Sequence, residues 1–380
     1  MVPMSKRMQA SVYSDRIARA ASAVRERGLA GIIIGTGPQL AYLTGSWLSS
    51  HERLTALTIT AAGEAVIVAP ETDVASFADS AVGELDITVR GWADGEDAHQ
   101  LAAAPILAAG AAETAPVGLG DSLTTRHVLA LQELLAPRPT VVAALTLAEL
   151  FTRKDEEEIG ELRRAGEAID RVHARVPALL VAGRTENAVA KDIENLILSE
   201  HEAVDFIIVG SGENGANPHH SHSDRVLQQG ELVVVDIGGT LDTGYRSDCT
   251  RTYVVGGPSQ DIDDEVESMY QVLYRAQQAA VDAVRPGVTA ESIDRAAREP
   301  IAWAGYGDAF FHRTGHGIGL STHEEPFIMG GNDLVLEEGM AFSIEPGIYL
   351  RGRYGARIED IVVVTADGCE QLNRGPRELQ

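Results

Sequence analysis

The sequence predicts an α/β domain followed by a larger α+β domain, and three observations predict it. A chain of 380 residues is longer than a single hydrophobic core comfortably supports. Up to about Thr146, short apolar runs alternate with amphipathic stretches, the pattern of an α/β unit. Beyond it, long helical patterns alternate with paired apolar runs that meet at glycine-rich turns, as expected for helices packed on antiparallel hairpins. The expected domains are therefore residues 1–146 and 147–380.

In order along the chain, SDRIARAASAVRERG predicts a helix capped by Ser14 and stopped at Gly28, and LAGIIIG predicts a buried strand. TALTITAAGEAVIVAP predicts a hairpin turning at Gly63, the alanine-rich residues 102–115 a helix and loop, and RHVLALQELLA a further helix. TRKDEEEIGELRRAGEAIDRVHARV opens the second domain as a long charged helix, its acids ahead of its bases as the helix dipole favours. ENAVAKDIENLILSE, DDEVESMYQVLYRAQQAAVDAV and AESIDRAAREPIAWAG follow with helical periodicity. Two hairpins, at 233–255 and 341–364, supply the sheet, and their likeness predicts a pseudo-symmetric half-repeat.

Each hairpin carries acids where core side chains are expected. In VVVDIGGTLDTGYRSDCTRTYVV a fold at Asp242 sets Asp236 opposite Asp248, and in AFSIEPGIYLRGRYGARIEDIVVV a turn around Gly352 sets Glu345 opposite Glu359. Both spacings are even, so the acids of each hairpin share a face. Asp242 and Asp367 read as ordinary turn acids beside glycine. The other four sit among Val, Ile, Ser and Phe, where an unpaired carboxylate costs several kcal/mol. No run of Lys or Arg alternates with them, although Arg246, Arg251 and Arg357 are near in sequence, so metal ions are the expected counter-charge.

Six of the eleven histidines fall in two clusters flanking the hairpins: His219, His220 and His222 in NPHHSHSDR, and His312, His316 and His323 in FFHRTGHGIGLSTHEEP. The first cluster follows Pro218 without helical spacing and reads as a loop. His51, His99, His127, His173 and His201 read as ordinary surface or core residues. GIG at 317–319 opens no helix after a strand, which excludes a nucleotide-binding loop.

The segments VVVDIGG, SDCTRT, HRTGHGIGLSTHEEP, FSIEPG and RIED, in this order, resemble the metal-binding motifs of the pita-bread metallopeptidases, prolidase and aminopeptidase P among them. The first part of the chain resembles their creatinase-type amino-terminal domain. This resemblance implies Asp236 as a terminal ligand of one metal, Asp248 and Glu359 as bridges between two, and His316 and Glu345 as the rest of the second metal's shell. It gives Glu345 the proton transfer from an attacking water to the leaving nitrogen. It places His219 and His323 against the substrate or the tetrahedral intermediate and His312 in the same pocket. Arg357 shares the face of Glu359 and either orients that glutamate or a substrate carboxylate, or serves as a structural counter-ion. His220 and His222 fall beside the family's histidine position and read as solvated loop residues.

The activity implied is hydrolysis of the peptide bond before proline, whose tertiary amide has no N–H. The substrate is a proline-containing dipeptide or short peptide. Alternatives are an Xaa-Pro aminopeptidase acting on longer peptides, a creatinase-like non-peptidase hydrolase, and a metal-free binding module, and the last two have no need of five intact ligand positions. An oxygen-rich shell favours Mn for the two divalent ions, with Co or Zn able to occupy it.

Composition bounds the partners. The 31 basic and 56 acidic residues leave a net charge of −25, which disfavours nucleic acid and acidic membrane surfaces. The amino-terminal stretch lacks the apolar segment of a signal peptide, and no stretch approaches the length of a membrane span, so a cytoplasmic location is expected. Cys249 and Cys369 have no CxxC pattern, which argues against a thiolate zinc site or a disulfide framework, and Cys249 is expected to pack. A homodimer is the expected assembly. The loop TGSWLSSHER, residues 44–53, is a candidate for contact with the substrate's free-amine side.

Overall fold

The structure, a computed structural model, describes residues 7–50, 52–257 and 262–380. Internal contacts divide the chain into two units, Met1–Phe151 and Thr152–Gln380. The division falls after the expected Thr146 because the helix Ala143–Thr152 runs through that position.

In the first unit a six-stranded sheet is centred on Ala56–Thr60 and Gly31–Gly35, which pair antiparallel. Ala102, Ala103, Ile106, Leu131 and Leu135 from two helices pack on Ile33, Val66, Val68 and Val117 of this sheet. The hairpin turns at Gly63, whose φ of +92° is the left-handed conformation that glycine adopts without strain. The first helix begins at Ala10, not after Ser14. Ala10, Tyr13 and Ile17 form one apolar face against Ala81 and Leu85, and that contact extends the helix a turn ahead of the serine. Strands Thr88–Trp92, Val117–Leu119 and Thr140–Val142 are too short for alternation to announce them. His51 lies outside the described residues.

The second unit is built from antiparallel strands, each hairpin backed by its own helix pair. Its first helix, Glu156–His173, starts on a reciprocal cap between Asp155 and Glu158 and places acids in its first turn and Arg171 and His173 in its last. Val233, Val235 and Ile237 pack against Ile169, Val172, Val189, Ile193 and Ile197 of helices Glu156–His173 and Glu186–Glu200. Phe342, Ile344, Val362 and Val364 pack likewise against Ala280, Val281, Ile293 and Ala297 of Asp264–Ala283 and Ala290–Trp303. Each such side chain contributes about 1.5–3 kcal/mol on burial. Because side chains alternate along a strand, Asp236, Asp248, Glu345 and Glu359 fall on the faces turned away from the helices.

The register of the first hairpin differs from the expectation. Its turn is centred on Thr243: Leu241 N donates to Tyr245 O at 2.8 Å, and Gly244 takes φ +90°. Asp236 therefore pairs with Thr250, and Thr240 with Arg246. Asp248 lies diagonal to Asp236 rather than opposite, on the same face. In the second hairpin the pairs Ile344 with Asp360 and Gly347 with Arg357 bracket the two glutamates in the expected register. The ladder breaks at the acids themselves, where Glu345 N donates to Thr314 O (2.8 Å) and Glu359 N to Thr250 O (3.1 Å). That break stitches the second hairpin to the first and to the histidine-bearing segment. No described helix is long and apolar enough to cross a membrane.

Candidate metal centre

A cavity of about 850 Å³ within the second unit is lined by Asp236, Asp248, Glu345, Glu359, His219, His312, His316, His323 and Arg357. All nine residues singled out in the sequence thus share one wall system. Asp248, His316 and Glu359 are buried and offer ligand atoms within 4.8 Å of one another. His316 Nε2 lies 3.2 Å from Glu345 Oε1 and 3.7 Å from Asp248 Oδ2. Its Nδ1 lies 3.1 Å from Gly317 O, which leaves Nε2 as the nitrogen turned to the acids.

Electrostatics show what the carboxylates of this wall impose on one another. Burial, reinforced by the charges of Glu359, Asp236 and Glu345, pushes Asp248 well above the usual carboxylate range. Burial and the charges of Glu345 and Asp236 do the same to Glu359. Asp236 is also raised by burial, against the pull of Arg357. Burial works against ionisation of Glu345 too, but the hydrogen bond and charge of His316 outweigh it and hold that carboxyl down at about 2. Asp236 Oδ1 and Glu359 Oε1 are buried without any hydrogen-bond partner among the described residues. Orphaned carboxylate oxygens in a crowded acidic wall fit a divalent cation. A donor set of carboxylates and one imidazole, without thiolate, suits a hard or borderline ion. Asp248, His316 and Glu359 stand close enough to share one ion, and Asp236 and Glu345 line the same cavity beside them.

Arg357 is the wall's own counter-charge. It donates from Nη2 to Asp236 Oδ2 at 2.5 Å, from Nη1 to Tyr349 Oη at 2.7 Å and from Nε to Thr250 Oγ1 at 3.0 Å. Thr250 Oγ1 in turn donates to Glu359 Oε2 at 2.7 Å. Tyr349 also meets His312 Nε2 at 3.0 Å, while His312 Nδ1 lies 2.7 Å from Arg313 O. With Nδ1 donating to that carbonyl, Nε2 accepts from the tyrosine, so both nitrogens of His312 are engaged. His323 stands edge-on to His316 with ring centroids 4.2 Å apart. Burial, then His316 and Arg313, push it down to about 4, so at neutral pH it is a neutral imidazole with an N–H to offer.

Sequence reasoning missed Tyr349, Thr250 and the partner of His220. Tyr349 was findable: it is four residues from Glu345 in an alternating stretch and therefore on its face. A Cβ at Gly347 would collide with the Tyr349 hydroxyl, which explains the glycine in FSIEPG. His220 is no solvated loop residue, because its Nε2 lies 2.9 Å from Oε2 of the buried Glu186. His222 is exposed and meets Asn187 Oδ1 at 2.6 Å.

Comparison with known proteins follows the same outline. Residues 160–366 match metallopeptidase family M24, and residues 16–150 match the creatinase/prolidase N-terminal domain. The probable dipeptidase PepE of Mycobacterium bovis is 53% identical over 376 residues, covering 99% of this chain and 98% of the relative. The Xaa-Pro dipeptidase of Lactobacillus helveticus is 38% identical over 349 residues, covering 90% and 92%. The crystal structure of dipeptidase PepE from Mycobacterium ulcerans superposes with a TM-score of 0.92 at 53% identity, covering 98% of this chain and 99% of that one. With the five candidate ligands in one cavity and both family matches in the expected order, the chain belongs to metallopeptidase family M24 and has its two-domain pita-bread fold.

Proposed function

We propose that the protein is an Xaa-Pro dipeptidase that works with two divalent cations, Mn foremost, held by Asp236, Asp248, His316, Glu345 and Glu359. The observation that carries this reading is the acidic wall with its two orphaned oxygens, open to a cavity of about 850 Å³. Cations held there would supply Lewis-acid charge and acidify a water. Glu345 accepts the proton of the attacking water and passes it to the proline nitrogen as the C–N bond breaks. His323 donates its N–H to the oxygen that becomes negative in the tetrahedral state. His219 contacts the substrate from the loop after Pro218. Arg357 fixes the orientation of Asp236, and His312 holds the Tyr349 hydroxyl against Arg357.

A dipeptide suits this cavity better than a longer peptide. Of the three arginines in its wall, Arg357 pairs with Asp236 and Arg246 with Asp205. Arg313 is stacked on Phe327 at 4.5 Å and has no carboxylate within ion-pair distance among the described residues. A guanidinium so placed is available to the terminal carboxylate that a dipeptide carries one residue from the scissile bond.

The test is a panel of Xaa-Pro dipeptides, their C-terminal amides, Xaa-Pro-Yaa tripeptides and Xaa-Ala dipeptides, assayed with Mn and after chelation. Fastest cleavage of the free Xaa-Pro dipeptides, abolished by chelation, is the expected result. Equal cleavage of Xaa-Ala, or full activity in protein shown by elemental analysis to be metal-free, overturns the reading.

A further inference from the structure

We infer that Glu186 is a positioning residue for the hydrolysis, fixing the loop that turns His219 toward the carboxylates. This rests on the reading above, which gives His219 its task. Glu186 is the first residue of helix Glu186–Glu200, is 0% exposed, and lies outside the cavity wall. Among the described residues, every hydrogen bond its carboxylate accepts comes from the segment 211–223. Oε1 accepts from Ser211 N at 2.8 Å, Ser211 Oγ at 2.6 Å and Asn214 Nδ2 at 3.0 Å. Oε2 accepts from Ser223 Oγ at 2.7 Å and from His220 Nε2 at 2.9 Å, with Asn214 Nδ2 shared at 3.1 Å. Facing a carboxylate, His220 Nε2 must carry the proton.

These contacts grip the segment on both sides of His219. Ser211 and Asn214 precede it, and His220 and Ser223 follow it. Asn187 adds to the grip, its backbone N donating to Ser223 O at 2.9 Å. Between the anchors, Pro218 O receives Arg357 Nη1 at 3.4 Å and His219 N donates to Asn217 Oδ1 at 3.2 Å. The imidazole of His219 makes no hydrogen bond among the described residues, so the backbone that Glu186 holds is what sets where its side chain leaves the loop. A fully buried carboxylate is an expensive fastener for a loop unless its donors all converge, as they do here. What such a network provides is one defined arrangement of the segment. A charge at the first turn of a helix is further favoured by the helix dipole.

The experiment is Glu186→Gln, combined in a cycle with His219→Ala, on the metal-loaded full chain with an Xaa-Pro dipeptide. The amide nitrogen of the glutamine faces donors, so the grip loosens while the shape is kept. The turnover number should fall roughly tenfold or more with metal content unchanged, since small misplacements of a reacting group cost at least that much. Hydrogen exchange at 217–223 should quicken, and the double variant should be no slower than His219→Ala alone. Turnover per folded molecule within about twofold of wild type, or losses that multiply in the double variant, overturns the inference. Should Glu186→Gln fail to fold, Ser223→Ala removes one donor and leaves the carboxylate in place. A smaller loss, absent when His219 is already alanine, supports the role, and no loss or a multiplicative one refutes it. Failure of the hydrolytic reading would show separately, as wild-type protein that cleaves no Xaa-Pro dipeptide, and the exchange measurement would still report whether Glu186 holds the loop.

Discussion

Replacing Arg357 by methionine removes the guanidinium bonded to Asp236 of the acidic wall while keeping an unbranched side chain of similar reach. Arg357 is 2% exposed and its guanidinium is spent on Asp236, Tyr349 and Thr250. Removing one partner of a buried ion pair leaves the other charge uncompensated, at a cost of about 3–5 kcal/mol. For a unit the size of Thr152–Gln380, each kcal/mol moves the melting temperature by about 2–4 °C. Chelator-treated Arg357→Met should therefore melt roughly 6–20 °C below wild type. A cation beside Asp236 supplies the charge that the arginine no longer does, so the Mn-loaded variant should lose distinctly less. Differential scanning calorimetry of both proteins with and without Mn decides. A loss below about 1 kcal/mol in the metal-free protein, or equal losses in the two states, would refute the view that Arg357 and the cations share one electrostatic task.

Three further outcomes are expected. Asp248→Asn keeps shape but not charge, so elemental analysis should find metal lost and turnover should drop by orders of magnitude; normal metal content with retained activity would exclude Asp248 as a ligand. His323→Ala should lower the turnover number roughly a hundredfold, the usual cost of one such donor, with metal content intact; unchanged turnover with a lowered melting point would make it a loop support only. His173 is buried between Tyr253 Oη (2.8 Å) and Cys249 O (3.0 Å), and burial, then the charge of Arg251, hold it down at about 3. Its folded value lies below its unfolded one, so its stabilising share is present above about pH 6.5 and is lost as pH falls toward 3. Between pH 7 and 5 that share shrinks by about 2 kcal/mol, and His173→Gln should flatten the pH dependence of denaturant midpoints by that amount; parallel curves would mean that His173 protonates in the folded state.

The sequence made the acids legible because two properties of a hairpin survive without coordinates: alternation, and the parity of a spacing. Asp236 and Asp248 share a face whether the turn is centred on Asp242 or Thr243, since moving the centre by one residue moves partners by two. The exact pairing was not legible, because it depends on which residue of LDTG takes the left-handed conformation, and that is Gly244. Contacts between distant elements were hidden altogether. Thr250 and Glu359 are 109 residues apart, and nothing in SDCTRT says that its first threonine side chain will support a glutamate of the other hairpin rather than water. His220 was misread for the same reason: its partner, Glu186, sits in a stretch whose periodicity announces only a helix. Tyr349 is different, because the alternation that placed Glu345 also placed the tyrosine, and its apolar neighbours Ile348 and Leu350 disguised it as core.

The geometry of the site is enforced by side chains that never touch it. Val233, Val235 and Ile237 are buried against one helix pair, and Phe342 and Ile344 against the other. A slip of one residue in either hairpin would turn those side chains to the cavity and drive Asp236 or Glu345 into the apolar layer, at the combined cost of several exposed Val, Ile and Phe side chains and a buried charge. No alternative register is remotely competitive. The mutual repulsion of the acids works against that arrangement, and all they add to the choice of register is the cost of burying a charge in the apolar layer. Precision at the centre is thus inherited from the packed faces behind it, and the crowding of the four carboxylates is tolerated because the core holds the hairpins in a register that relieving the repulsion would sacrifice.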